Sequence, residues 1–311
     1  MTNTVDQFDA SVQSIPDCDP SIASPASPGF SVRFWGVRGN IPAPGADTVR
    51  YGGNTACVEV RVGGQHLIFD SGTGLRVLGK QLAQQAQPVD AHLFFTHTHW
   101  DRIQGFPFFH PAFDPATILN IYGAAALNGA SIKQCLMDQM LRPNFFKPLQ
   151  TMAATMTFHN IRPGDVIQVG EVAIETISLN RHTNALGYRV NWQGYGLVYA
   201  TDTDPNRTTL DPNLMLLAET AQVLIFDGTY VDMAYSDPQS YRLTPWHLGT
   251  RLAEASHVNQ LILFHHNPCH DDDFLDQVEQ QAKASFANTC LAREGMTIEL
   301  TDPELTDPPS T

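Results

Sequence analysis

The chain of 311 residues carries 18 basic and 32 acidic side chains, a formal net charge of −14, and 42% hydrophobic residues. This acidic balance excludes binding to nucleic acid through a general positive field, because phosphate neutralisation requires clustered lysine and arginine. No apolar stretch approaches the roughly 18 residues of a membrane-spanning helix. The amino-terminal segment MTNTVDQFDASVQSIP lacks the basic residues that begin a secretory signal. We therefore expect a cytoplasmic protein with a sizeable core and no nucleic-acid or membrane partner.

The two ends of the chain differ in composition from its middle. Residues 1–29 are rich in serine, proline and aspartate without hydrophobic periodicity, which predicts a disordered leader. Residues 301–311, TDPELTDPPST, predict a matching disordered tail. Since no linker or repeat interrupts the part between them, we expect one domain over residues 30–300.

Short runs rich in β-branched and aromatic residues alternate with turn residues along this domain. Taken in chain order, these runs predict strands at 31–36, 56–62, 66–70, 91–95, 118–122, 172–178, 187–192, 196–200, 223–227 and 260–264. Apolar residues at helical spacing predict helices at 75–86, 131–141, 247–256 and 273–286. Runs of strands with interspersed helices predict an α/β (α+β) architecture of sheets covered by helices.

Four of the predicted strands end in polar residues that can perform chemistry. His97 follows the strand AHLFF by two residues, Asp202 follows GLVYA by two, Asp227 ends VLIFD, and His265 follows QLILF. Because strand ends that meet at one edge of a sheet build the sites of α/β folds, we expect these side chains to lie close together.

The strongest local signal is the segment THTHWDR, residues 96–102. It places His97 and His99 two residues apart and Asp101 two residues further on, in a turn after an apolar strand. Neutral imidazole and carboxylate are ligands that Zn²⁺ and similar ions prefer. The alternative is a polar loop that contains two histidines by chance, but the upstream strand and the position of Asp101 favour a metal site.

This HxHxD pattern resembles that of the metallo-β-lactamase fold superfamily, where it follows a strand. Further segments resemble one branch of that superfamily, which contains ribonuclease Z-like and phosphodiesterase-like hydrolases. These segments are SVRFWGVRGNIPAPGADTVRYGGNTACVEVR, LIFDSGTG, THTHWDRIQGFPFF, NALGYRV, VYATDTD and LILFHHNPCHDD. The resemblance implies a single-domain αββα sandwich with a metal site on one edge.

The resemblance also implies roles for individual residues. The metal ligands it implies are His97 and His99 for the first ion, Asp101 for the second, Asp202 as the bridge between the two, and His265 after the last core strand. Asp101 and Asp202 are therefore the candidate catalytic residues. Asp70, in FDSGTG, matches an acid that orients the ligand turn instead of binding metal.

Three positions depart from the phosphodiesterase-like pattern, which has histidine where this chain has Arg102, Arg181 and Leu243. His182, one residue beyond Arg181, is expected to replace the missing ligand, because a loop shifts by one residue more easily than a strand does. The HxHxDR pattern also occurs in metallo-β-lactamases that bind two zinc ions, so Arg102 is compatible with a second site.

The alternative is that Arg102 and Arg181 place fixed positive charge where the metal ions would lie. These guanidinium groups would then pair with Asp101 and Asp202, or bind a phosphate group as an anion site. The number of ions expected is therefore one or two, with Zn²⁺ as the leading metal and Mn²⁺ as the second choice, or none if the ligand set is degenerate.

The function expected from the resemblance is hydrolysis of a small phosphoric ester, such as a cyclic nucleotide or another phosphodiester, by a metal-bound hydroxide. Ribonuclease Z activity on transfer RNA is disfavoured by the net charge, and β-lactam hydrolysis by the flanking segments. The competing hypothesis is a metal-free pseudoenzyme that serves as a ligand-binding or regulatory partner protein. The sequence leaves the assembly open, with a homodimer as one expectation.

Overall fold

The computed structural model describes residues 29–85, 87–204, 209–228 and 245–300. The predicted tail and, apart from Gly29, the predicted leader lie outside these residues, as does Leu243. Every strand and helix predicted from the sequence is present, with bounds that differ by a few residues. This agreement follows from the strongly apolar character of the predicted segments.

Two seven-stranded sheets form the centre of the described chain. The first sheet, in chain order, contains β1 (Phe30–Gly36), β2 (Cys57–Val62), β3 (Gln65–Phe69), β4 (Asp90–Phe94), β5 (Ile118–Gly123), β6 (Thr155–Asn160) and β14 (Thr297–Glu299). Its spatial order is β14-β1-β2-β3-β4-β5-β6. The strands from β3 to β6 run parallel to one another, and the remaining pairs are antiparallel.

The second sheet contains β7 (Val166–Val169), β8 (Val172–Asn180), β9 (Ala185–Trp192), β10 (Tyr195–Ala200), β11 (Val223–Asp227), β12 (Gln260–Phe264) and β13 (Thr289–Leu291). Its spatial order is β13-β12-β11-β10-β9-β8-β7. The strands from β10 to β13 are parallel. Their carboxyl ends therefore share one edge, which is where the candidate site residues follow β10, β11 and β12.

Helices cover the outer faces of both sheets. They are α1 (Gly74–Leu82), α2 (Trp100–Ile103), α3 (Ile132–Gln139), α4 (Pro212–Ala218), α5 (Pro245–Ala255) and α6 (Asp272–Ser285). The helices α1 and α3 pack on the first sheet, whereas α4, α5 and α6 pack on the second. The result is the predicted αββα sandwich in a single domain. Among the described helices, none combines the length and apolar character needed to cross a membrane.

The main core lies between the two sheets, where inward-facing residues of each sheet meet. Phe34 of the first sheet packs against Phe264 of the second with ring centroids 5.9 Å apart. Phe69 likewise packs against Tyr199 at 5.5 Å. Burial of an aromatic or aliphatic side chain of this size stabilises the fold by about 1.5–3 kcal/mol. These contacts hold the two sheets, and thus the strand ends that form the site, in a fixed relation.

Candidate metal centre

The candidate centre lies at the edge where parallel strands of both sheets end. Asp70 follows β3, Asp202 follows β10 and His265 follows β12, and their φ angles are 58°, 65° and 58°. This left-handed region is uncommon for residues other than glycine. Such strained positions cluster at functional sites, because the surrounding structure must hold them there. The backbone thus turns at three strand ends within one small region.

His97, His99 and Asp202 each direct one ligand atom to a common space, with all three atoms within 4.8 Å of one another. His97 Nε2 lies 3.6 Å from an oxygen of Asp202, and the two imidazole rings have centroids 4.3 Å apart. His97 Nε2 is buried and forms no hydrogen bond among the described residues. Burial lowers the pKa of His97 well below its usual value, which keeps the imidazole neutral.

This donor set fits a divalent cation. Two neutral imidazoles and one carboxylate are the ligands found in catalytic zinc sites, which retain an open position for water or substrate. The buried nitrogen of His97 supports the fit, because a buried polar atom without a partner is costly unless a ligand satisfies it. A site for one divalent ion is therefore compatible with the residues present.

A chain of hydrogen bonds from His97 through Thr96 to Asp70 fixes the orientation of His97. The Thr96 backbone N–H and hydroxyl both lie within 2.9 Å of Asp70 Oδ1, and the hydroxyl oxygen lies 3.1 Å from His97 Nδ1. Since the hydroxyl proton is donated to Asp70, the Thr96 oxygen accepts a hydrogen bond from His97 Nδ1–H. That tautomer leaves the lone pair of Nε2 directed to the common space.

Arg102 is fully buried beneath this turn and pairs with Asp70. Its Nη1 donates hydrogen bonds to Asp70 at 2.7 Å, Thr201 at 3.0 Å and Tyr199 at 3.2 Å. Burial opposes the charged guanidinium, but Asp70 together with Tyr199, Asp101 and Asp202 outweighs it and raises the pKa of Arg102. The side chain that replaces the expected histidine is therefore a permanently charged part of the interior.

Asp101 and His265 contact each other instead of joining the three-residue cluster. His265 Nε2 lies 3.2 Å from Asp101 Oδ2, and Nδ1 lies 3.6 Å from Asp227 Oδ1. Burial alone would raise the pKa of Asp101, but Arg102 and His265 hold it below its usual value. For His265, burial and Arg102 lower the pKa, whereas the adjacent carboxylates of Asp101 and Asp227 raise it above its usual value.

Asp227 lies at the candidate centre, although the candidate ligand set lacks it. Its Oδ1 accepts a hydrogen bond from the backbone N–H of Asp202 at 2.8 Å, and its Oδ2 accepts two from Thr203 at 2.7 Å. The sequence signal for it was its place at the end of β11, beside the other strand ends. Asp227 thus fixes the backbone of Asp202 and faces His265.

The turn after β8 contributes a residue that the sequence did not indicate. Arg181 and His182 are both exposed, and His182 is not part of the three-residue cluster. The neighbouring Thr183 instead donates a hydrogen bond to Asp202 at 2.8 Å. Metal ligation by His182 and anion binding by Arg181 stay predictions.

Comparison with known families shows to which superfamily the chain belongs. Residues 65–266 match the family described as the Beta-lactamase superfamily domain. The chain belongs to this superfamily. Among curated relatives, Ribonuclease Z of Gemmatimonas aurantiaca is 32% identical over 119 residues, which are 38% of this chain and 36% of the relative. Ribonuclease Z of Crocosphaera subtropica is 34% identical over 113 residues, 34% of each protein. The chain thus matches only about a third of the length of these relatives.

Several solved structures share the fold over most of the chain. A diphosphatase of the PhnP family has a TM-score of 0.64 and 14% identity, covering 88% of this chain and 98% of its own. The short form of human tRNase Z has a TM-score of 0.61 and 16% identity, covering 87% and 99%. YhfI from Bacillus subtilis has a TM-score of 0.61 and 18% identity, covering 87% and 98%. The predicted metallo-β-lactamase fold is therefore confirmed.

Proposed function

We propose that this protein is a metal-dependent phosphoesterase that hydrolyses a small phosphoric ester. The observation that carries the proposal is the cluster of His97, His99 and Asp202, with a buried imidazole nitrogen directed into it. The names of the relatives support the reaction class, since ribonuclease Z and a PhnP-family diphosphatase both cleave bonds between phosphorus and oxygen.

The three cluster residues would hold the ion. A divalent cation bound there supplies a Lewis acid for a phosphoryl oxygen and lowers the pKa of water. The other residues of the centre hold these ligand atoms in position through hydrogen bonds. Thr96 sets the tautomer of His97, and Thr183 and Asp227 hold the side chain and the backbone of Asp202. Because these groups are fixed before substrate arrives, little reorganisation is required during the reaction.

The proposed substrate is small because the surface charge disfavours a polynucleotide. The chain carries 18 basic against 32 acidic side chains, so a long phosphate backbone would experience net repulsion. Trp100, directly after His99, exposes 59% of its surface and offers an apolar contact to the organic group of an ester. A ribonuclease is the competing possibility, because the curated relatives carry that name.

The test measures hydrolysis after the protein is stripped with a chelator and reloaded with Zn²⁺ or Mn²⁺. Substrates are bis(4-nitrophenyl) phosphate, 4-nitrophenyl phosphate, a cyclic nucleotide and a transfer RNA precursor. We expect metal-dependent hydrolysis of a small ester, reduced at least about 100-fold in His97→Gln. His110→Gln is the matched control, because His110 is exposed and lies outside the cluster.

Two outcomes would contradict the proposal. Cleavage of the RNA precursor alone would exclude the small substrate and retain the phosphoesterase. Absence of hydrolysis with every metal would leave the metal-free ligand-binding protein as the remaining hypothesis.

A further inference from the structure

We infer that the centre binds a single divalent ion and that the Arg102 guanidinium supplies the positive charge of the second cation position. The inference rests on the proposed function, because it takes the cluster of His97, His99 and Asp202 as the metal site. It goes further by fixing the number of ions. The argument depends on what surrounds Asp101 and His265, the two residues expected to bind a second ion.

The carboxylate of Asp101 is already shared between two nitrogen groups. Its Oδ2 lies 3.2 Å from Nε of Arg102 and 3.2 Å from Nε2 of His265. A second ion that bound through Oδ2 would have to compete with both groups. Asp101 is therefore placed as the partner of a guanidinium and an imidazole.

His265 has carboxylate oxygens facing both of its ring nitrogens. Nε2 faces Asp101, and Nδ1 lies 3.6 Å from Asp227. An imidazole that binds a metal directs one nitrogen lone pair to the ion and usually faces a carboxylate with the other, so His265 could bind a second ion only by giving up its contact with Asp101. A buried row of side chains thus forms in which nitrogen groups alternate with carboxylates. Its order is Arg102, Asp101, His265 and Asp227.

Asp202, the residue expected to bridge two ions, faces the first position. Its Oδ2 lies 3.6 Å from His97 Nε2 and accepts the hydrogen bond of Thr183. Among the described residues, one group has three ligand atoms that all lie within 4.8 Å of one another. It consists of Asp202 and the two histidines of the HxH turn. The second position therefore lacks a third ligand.

Arg102 cannot leave this region or lose its charge. The residue has no exposed surface, and its Nη1 is held by Asp70, Thr201 and Tyr199. A guanidinium does not deprotonate in proteins. The HxHxDR pattern by itself is compatible with two ions, but a second dication beside Asp101 would lie near this fixed charge in a buried environment, which weakens its binding.

The first experiment counts metal ions by native mass spectrometry after reloading the full chain with excess Zn²⁺ or Mn²⁺. We expect one tightly bound ion per chain. Two ions per chain would overturn the inference and leave the proposed phosphoesterase intact. No tightly bound ion would overturn the proposed metal site and this inference with it.

The second experiment replaces the guanidinium by the imidazole that the related pattern carries. Arg102→His is expected to raise the stoichiometry from one ion to two. The control is Arg76→His, which adds a histidine on the exposed side of α1. It should leave the stoichiometry at one ion per chain. A folded Arg102→His variant that still binds one ion would contradict the inference.

A third variant covers the case in which Arg102→His fails to fold. Asp101→Asn preserves the shape of the side chain but removes its charge. If Asp101 is a partner of Arg102 and not a ligand, the Zn²⁺ Kd measured against a chromogenic chelator should change by less than about 10-fold. A loss of more than about 100-fold would identify Asp101 as a ligand and overturn the inference.

Discussion

The side chains of Arg102 and Asp70 form an ion pair of 2.7 Å in which neither side chain has exposed surface. The pair joins the turn that carries the HxHxD motif to the end of β3. Asp70 also accepts hydrogen bonds from Thr96 and Tyr199. One carboxylate thus connects the ligand turn, the charged residue behind it and a strand of the opposite sheet.

Loss of the Asp70 charge should therefore destabilise the whole protein. Asp70→Asn leaves Arg102 as a buried cation without its main partner, and breaking such a pair costs about 3–5 kcal/mol. The measurement is the free energy of unfolding from urea denaturation. Asp90→Asn, which removes an exposed carboxylate at the start of β4, is the control and should change it by less than about 0.5 kcal/mol. An Asp70→Asn variant as stable as the control would contradict this account of the ion pair.

Asp227 should control the affinity for metal without contacting the ion. In Asp227→Asn, an amide nitrogen must face the backbone N–H of Asp202 or Thr203, so that one hydrogen bond becomes a repulsive contact. We expect the Zn²⁺ Kd to rise about 10–100-fold, the range typical of groups that orient ligands.

The control for this variant is Asp165→Asn, because Asp165 is exposed and likewise accepts a backbone N–H, from Arg162 at 2.8 Å. Its Zn²⁺ affinity should equal that of the original protein. Equal affinity in Asp227→Asn as well would show that Asp202 holds its position by other contacts.

The sequence predicted the elements that are most apolar and missed the short or exposed ones. The strands β11 and β12 were predicted with the bounds that the structure has, because VLIFD and QLILF are uninterrupted apolar runs. In contrast, β6 reads TMTFHN, and its residues are exposed or half-buried, so its pattern did not separate it from a loop. The helix α4 has only 7 residues, too few to show helical periodicity.

The same contrast holds at the candidate centre. His97 and His99 could be predicted as candidate metal ligands from residue type and motif spacing, and Asp202 from the resemblance to the superfamily. The contacts of Thr183 and Asp227 could not, since they depend on the left-handed turn at Asp202 and on the pairing of β10 with β11. For Arg102, the sequence left two environments open, and the structure shows contacts with both Asp70 and Asp101.

Trp100 should determine how tightly the substrate binds. The helix α2 turns Asp101 and Arg102 inward and leaves Trp100 with 59% of its surface exposed, next in the chain to the candidate metal ligand His99. Stacking of an aromatic group on such a side chain contributes about 1–3 kcal/mol. Trp100→Ala should therefore raise KM for bis(4-nitrophenyl) phosphate roughly 10-fold and leave kcat within about threefold, which is the signature of lost ground-state binding.

Leu216→Ala is the control for this variant, because Leu216 on α4 exposes 70% of its surface on the outer face of the second sheet. Its KM should be unchanged. A Trp100→Ala variant with lower kcat and unchanged KM would show that Trp100 supports the ligand turn instead of the substrate.

Glu59 provides a prediction on pH that is independent of the metal centre. Its carboxylate accepts hydrogen bonds from Trp35 and Arg61, both at 2.8 Å, and lies 3.0 Å from His66 Nε2. Burial alone would raise the pKa of Glu59, but these three donors outweigh it and lower the pKa from 4.5 to about 2. The carboxylate is thus better stabilised in the folded protein than in the unfolded chain.

The sign of the pH dependence follows from this lowered pKa. A group whose pKa is depressed by folding stabilises the protein above its unfolded pKa and loses that contribution as pH falls to the folded pKa. Glu59→Gln should therefore lower the free energy of unfolding by about 1–3 kcal/mol at pH 7. The difference between the two proteins should shrink as pH decreases from 4.5 to about 2. The measurement is the free energy of unfolding from urea denaturation across this pH range. The control is Glu171→Gln, at an exposed position, which should change stability little at any pH. A difference that stays constant down to pH 2 would show that the stabilisation comes from the shape of the side chain and not from its charge.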